Sequence, residues 1–141
     1  VRGDEFDASL IAQGVDAVKK AIQEIEQKGN DVSTKEKNML SILEIALEMY
    51  CRGIKIRKID LWQSEATKFK IIDDEILPPF AALQGLGLTA AMKIVEARSI
   101  KEFTSVEDLR LRAKLSKTVI EGLREHGTIA DLPETDQLSL F

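Results

Sequence analysis

Between Leu10 and Lys28 the apolar residues Ile11, Val15, Val18, Ile22 and Ile25 recur at steps of four and three, with polar residues between them. That is the spacing of one helical face, and it predicts an amphipathic helix that stops at Gly29-Asn30. A second helix is predicted from Ser33, which stands three residues before Glu36 as in a capping box. It carries Met39, Leu40, Leu43, Ala46, Leu47 and Tyr50 on one stripe as far as Gly53. The two helices are expected to pack as an antiparallel pair, with Leu40, Leu43 and Leu47 buried.

After Gly53 the period changes. Ile54-Lys55-Ile56 and Phe69-Lys70-Ile71 alternate, and Asp73-Asp74 can turn the second run into Glu75-Ile76-Leu77, which predicts short strands or a small hairpin. Pro78-Pro79 then stops strand pairing and pre-sets the start of a helix. Further helices are predicted from Val106 to Arg112, capped by Ser105, and from Lys117 to His126, capped by Ser116 and stopped by Gly127. Past Leu132 no fixed structure is expected. The expected fold is mainly α: a small helical domain with a short β-hairpin, a helix-hairpin-helix and a disordered C-terminal tail. Its expected segments are 1–53 (the helix pair), 54–131 (strands and hairpins) and 132–141 (the tail).

The stretch ALQGLGLTAAMKIVEAR, from Ala82 to Arg98, carries the clearest binding signal. Gly85 and Gly87 bracket the single apolar Leu86, and a helix follows at once with Ala91, Ile94 and Val95 on its inner face. Two glycines allow a tight turn, and Leu86 plugs it from inside. Amides of the turn and of the first helical residues, Thr89 among them, then point outward, where the positive end of the helix suits a phosphate oxygen. Lys93 and Arg98 follow on the same helix as point charges for neighbouring phosphates. Together with Leu83, this frame resembles the helix-hairpin-helix motif, which grips the backbone of duplex DNA without reading its sequence. The later segment KLSKTVIEGLREHG, with Leu115 as plug, reads either as a degenerate second copy or as a packing partner of the first.

Charge refines this picture. The net charge of -4 speaks weakly against nucleic acid, but residues 86–118 hold seven Lys/Arg against four acids, and residues 119–141 hold one against five. A basic surface beside an acidic tail is therefore possible. With 44% hydrophobic and 31% charged residues the chain can build a core, and its single cysteine, Cys51, excludes an internal disulfide. No apolar run reaches the length of a membrane span, so a soluble, cytoplasmic protein without membrane contact is expected. The opening Val1-Arg2-Gly3, without a methionine, points to a fragment of something longer.

Catalytic constellations are missing. Asp73-Asp74-Glu75 reads as a solvated turn, and His126 lies where it can complement a helix C-terminus. There is no zinc spacing, no P-loop and no paired nucleophile and base, so no cofactor, metal or catalytic residue is expected. Asp108 stands after the hairpin, as the aspartate of helix-hairpin-helix glycosylases does, but on a charged helical face without that family's surroundings.

The chain closes on Gln137-Leu138-Ser139-Leu140-Phe141, with two leucines and a phenylalanine placed after the polar stretch Pro133 to Asp136. The segments ILPPFAALQGLGLTAAMKIVEAR, FTSVEDLRLRAKLSKTVIEGLREHG and LPETDQLSLF, with KEKNMLSILEIALEMYCRGIKI upstream, resemble the carboxy-terminal end of the PolC-type DNA polymerase III alpha subunit. That family is the C-family replicative polymerase of low-GC Gram-positive bacteria. The resemblance implies a duplex-binding segment containing the helix-hairpin-helix, then a tail whose Gln137, Leu138, Ser139, Leu140 and Phe141 bind the sliding clamp (beta subunit). It also implies that the catalytic aspartates lie upstream of Val1, so this fragment should not polymerise alone. In such a peptide Leu138, Leu140 and Phe141 would each contribute about 1.5–3 kcal/mol on burial. A flexible linker from about Leu132 would carry it. The alternative from another functional class is a helical protein-interaction scaffold in which the hairpin only packs.

Overall fold

The structure, a computed structural model, describes residues 6–135. It is mainly helical, with a two-stranded antiparallel hairpin between its amino-terminal and carboxy-terminal helices. The first amphipathic pattern folds as two helices, α1 over Ala8–Ile11 and α2 over Val15–Glu26. The unbroken helix expected from Leu10 to Lys28 is thus corrected at Gly14, whose φ of 107° and ψ of -178° fall where glycine alone rests cheaply. The buried face continues across the break through Ile11, Val18, Ile22 and Ile25.

Helix α3 spans Thr34–Cys51 and begins with the reciprocal capping box. Ser33 Oγ accepts from the Glu36 amide at 3.1 Å, and Glu36 Oε1 accepts from the Ser33 amide at 3.4 Å. Packed on α2, α3 buries Ile42, Leu43 and Ala46. Leu40 and Leu47 are only half-buried, so the buried stripe leans toward Ile42 relative to the expected one. The Tyr50 hydroxyl donates to the Ile11 carbonyl at the end of α1, which also accepts from the Gly14 amide at 3.2 Å.

Strands β1 (Lys70–Ile72) and β2 (Glu75–Leu77) pair with Ile71 opposite Ile76. Asp73 and Asp74 adopt φ of 51° and 64°, the left-handed pair that closes a two-residue hairpin with the twist of its strands. The alternating residues near Ile56 contribute a single parallel bridge to Ile76 rather than a strand. The Arg57 amide donates to the Ile76 carbonyl at 2.7 Å, and the Arg57 side chain pairs with Glu75 at 2.9 Å.

Pro78 and Pro79 are buried, and only one 3-10 turn, Phe80–Ala82, follows them where a helix was expected. The amides of Phe80 and Ala81 are drawn sideways to the carbonyls of Glu65 and Ala66, at 2.9 and 3.0 Å. Helices α4 (Leu88–Ile100), α5 (Val106–Ala113) and α6 (Lys117–His126) complete the chain. Ser105 and Ser116 cap α5 and α6, and Gly127 ends α6 at φ 90°. A single buried cluster runs from Phe6 to Ile129, with Phe80 fully enclosed. Of the tail expected to lack structure past Leu132, the first residues are held to the domain. Leu132 packs on the core, and the carbonyls of Pro133 and Glu134 accept from the Val106 and Glu107 amides at 2.8 and 3.1 Å.

His126 is a buried clip rather than a charge at a helix end. Its Nε2 accepts from the Ile59 amide at 3.0 Å, which leaves Nδ1 to carry the proton and donate to Ser9 Oγ at 3.2 Å. Burial holds its pKa below the ordinary value, and Lys58 adds to the depression while Asp7 opposes it. The unfolded chain therefore takes up this proton more readily, so the stabilisation is complete above about pH 6.5 and declines below it. Urea denaturation at pH 7.5 and 5.5 should show a loss that approaches about 1.4 kcal/mol per pH unit at most. His126→Gln should be less stable at pH 7.5 and should flatten the dependence across that window.

Candidate nucleic-acid interface

The glycine hairpin lies between the 3-10 turn and α4. Gly85 has φ 87°, a conformation that side chains resist, whereas Gly87 has φ -72° and ψ 168° and serves as the N-cap of α4. Leu86 between them is buried, and its amide donates to the Leu83 carbonyl at 3.1 Å, so the plug is set from inside. No side chain caps α4, and a Cβ placed at Gly85 or Gly87 would meet nothing within 4 Å. Backbone at the first turn of α4 is thus open to the outside, next to exposed Thr89. Helix geometry leaves the first amides without internal partners, and the dipole places partial positive charge there.

The two cations read from the sequence separate in the structure. Lys93 is exposed and lines a cleft with Glu96, Ile100, Arg112 and Lys114. Arg98 turns inward: its Nη1 donates to the carbonyls of Leu61 and Ser64 at 2.9 and 2.8 Å, and its guanidinium lies 5.9 Å from the Phe80 ring. Burial pushes its pKa down, with Glu65 and Asp60 opposing. Arg98 therefore secures the 59–64 loop rather than standing free as a point charge. Arg98→Met should lower stability by about 1.5–3 kcal/mol, the range for hydrogen bonds to a charged group. Lys93→Ala should leave the thermal midpoint unchanged; a salt titration of duplex binding should show weaker binding and a slope lower by about one.

Arg112 was also counted among the basic residues of this region, and it too is engaged in packing. It donates to the carbonyls of Ala97 and Lys101 at 2.7 and 2.8 Å, pairs with Asp108 at 3.1 Å and lies 4.9 Å from the Phe103 ring. Asp108 Oδ2 also accepts from the Thr104 amide at 3.1 Å. Its pKa is lowered: burial works against the charged form, but the bonds from Thr104 and Arg112 outweigh it. The carboxylate is engaged at the start of α5. Lys101, Arg110, Lys114 and Lys117 remain exposed.

The later segment repeats the backbone of the first hairpin. Lys114 is left-handed at φ 55°, Leu115 is buried, and Ser116 is an extended cap at φ -73° and ψ 162°. The same order holds for Gly85, Leu86 and Gly87. One difference matters: Ser116 Oγ accepts from the Val119 amide at 3.2 Å, so a first-turn amide of α6 is already occupied. Sequence reasoning saw the leucine plug here and left open a degenerate second copy or a packing partner, because lysine seldom signals a left-handed residue. Gln137 to Phe141 lie outside the described residues.

Paired left-handed turns, buried leucine plugs and an uncapped helix start define a helix-hairpin-helix protein. A family model described as "Helix-hairpin-helix motif" matches residues 53–137, and the chain belongs to that family. Across all 141 residues it is also similar to proteins named DNA polymerase III PolC-type. The identity is 56% with that of Clostridium perfringens, 50% with that of Caldanaerobacter subterraneus subsp. tengcongensis and 48% with that of Bacillus subtilis. The chain spans 10% of the length of each of these relatives. The resemblance read from the sequence is therefore met by relatives of that name along the whole chain.

Proposed function

We propose that this chain is a non-catalytic segment of a replicative DNA polymerase of the PolC type, which holds duplex DNA by its backbone and tethers it to the sliding clamp. The open, uncapped start of α4 between Gly85 and Thr89 carries this reading. One phosphate would accept hydrogen bonds from amides of Gly87 and the residues after it, with Leu86 holding the turn in shape and Lys93 supplying charge at the next phosphate. No base edge is needed, so binding is independent of sequence. Gln137, Leu138, Ser139, Leu140 and Phe141 form the clamp-binding peptide. Polymerisation belongs to the part of the polypeptide that lies outside this segment, and the protein works in the cytoplasm.

Asp108 and His126 are engaged in capping and packing, and among the described residues no group of His, Cys, Asp or Glu is placed to hold a metal. Among those residues, too, no helix is long and apolar enough to cross a membrane. Titration with two unrelated duplexes across a salt series tests the reading. Equal affinities with a log–log slope of about -2 to -4, corresponding to a few phosphate contacts, are expected. A second reading, a protein-interaction scaffold, is favoured by an apolar groove between α3 and the β-hairpin, lined by Ile42, Ile45, Met49, Phe69, Ile71 and Ile76. Failure to bind duplex at low salt would leave that reading in place.

A further inference from the structure

The root of the terminal segment is strapped to the domain. Leu132 packs against the core, and the carbonyls of Pro133 and Glu134 accept from the amides of Val106 and Glu107 at 2.8 and 3.1 Å. These are first-turn amides of α5, which have no partner within the helix. Ser105 Oγ already serves the Asp108 amide at 2.9 Å, so the incoming chain completes the cap. The Glu134 carboxylate is gripped by Arg124, with Nη2 3.3 Å from Oε2 and Nη1 on Oε1. An exposed ion pair alone contributes little. Two main-chain hydrogen bonds and an apolar anchor beside it give the strap a fixed geometry.

Only Thr135 and Asp136 stand between Glu134 and Gln137. Three peptide steps reach at most about 10–11 Å. We infer that the strap sets the exit point of the Gln137–Phe141 peptide, so that a sliding clamp holding the peptide lies against the face bearing Glu107, Arg110, Glu121 and Arg124. This rests on the clamp reading of the peptide made above. The clamp is then held at short range instead of on a leash starting at Leu132, and the duplex it encircles is kept close to the glycine hairpin. Residues of α5 and α6 thereby become a clamp-facing surface.

The experiment inserts a Gly-Ser linker of about twelve residues between Glu134 and Thr135 of the 141-residue chain. Affinity is measured for the free clamp and for a clamp encircling duplex DNA. The parent should bind the encircled clamp more tightly than the free one. The insertion should leave affinity for the free clamp within about twofold, and should reduce the extra affinity on duplex by about tenfold, because effective concentration falls roughly as the -3/2 power of linker length. An equal gain on duplex in both proteins overturns the strap while leaving the clamp reading intact. A parent that fails to bind free clamp overturns the clamp reading and this inference with it. Hydrogen exchange gives a readout independent of the clamp: the Val106 and Glu107 amides should be protected in the parent and lose that protection when the chain is cut after Asp131. Fast exchange of both in the parent also refutes the strap.

Discussion

Gly87→Leu is expected to lower duplex affinity by about tenfold or more, equivalent to at least about 1.4 kcal/mol, while the thermal midpoint stays where it was. The reason is the division between the two glycines. Gly87 has an ordinary extended backbone at φ -72°, and nothing lies within 4 Å of a Cβ added there. A side chain therefore costs the fold little, yet it projects into the space that a phosphate would need to reach the first amides of α4. Gly85→Leu differs because φ 87° is left-handed, and a β-carbon there costs roughly 1–2 kcal/mol. That variant should lose both duplex affinity and several degrees of melting temperature. Fluorescence anisotropy with a labelled duplex, read beside thermal melts, separates the two effects. If Gly87→Leu binds duplex like the parent, the hairpin is a packing device and phosphate gripping is wrong.

Removing Leu140 and Phe141 should abolish measurable clamp binding. Two large apolar side chains together represent about 3–6 kcal/mol of burial, or two to four orders of magnitude in affinity. Duplex affinity and melting temperature should not move, since on this reading the terminal residues serve the partner's core; among the described residues the buried cluster closes at Ile129 with Leu132 at its edge. A carrier fused to Gln137–Phe141 alone should bind clamp within about tenfold of the whole chain, because the pockets that receive the peptide belong to the partner. Surface plasmon resonance on immobilised clamp measures both. Undiminished binding by the truncated chain would show that the clamp is recognised elsewhere or that the terminal residues have another role.

Much of the local structure was legible because it rests on short-range chemistry. The Ser33–Glu36 capping box, the Asp73-Asp74 turn, the serine caps of α5 and α6 and the stop at Gly127 each depend on neighbours within four residues. Leu86 as a buried plug between two glycines belongs with them. The errors arose where distant parts of the chain compete for the same group. At Phe80 and Ala81 only one 3-10 turn forms, and their amides take the carbonyls of Glu65 and Ala66, partners that no local pattern announces. His126 looks like a helix-end cation until the Ile59 amide arrives from the far side of the core.

Charge shows the same boundary most clearly. Composition alone counts Arg98 and Arg112 with Lys93 as basic residues near the hairpin. In three dimensions both arginines donate to backbone carbonyls and lie beside Phe80 and Phe103, while Lys93 stays in the open. The sequence by itself determined that a glycine turn with a leucine plug starts a helix, and that a hydrophobic pentapeptide follows a polar stretch, since both are contiguous. The tertiary structure alone decided which cations remain free, that the segment from Lys114 to Ser116 repeats the first hairpin's backbone, and where the terminal segment leaves the domain. For Arg98 and the terminal segment those outcomes turn on whether a carbonyl or an amide lies within hydrogen-bonding distance, and that is settled by residues tens of positions away.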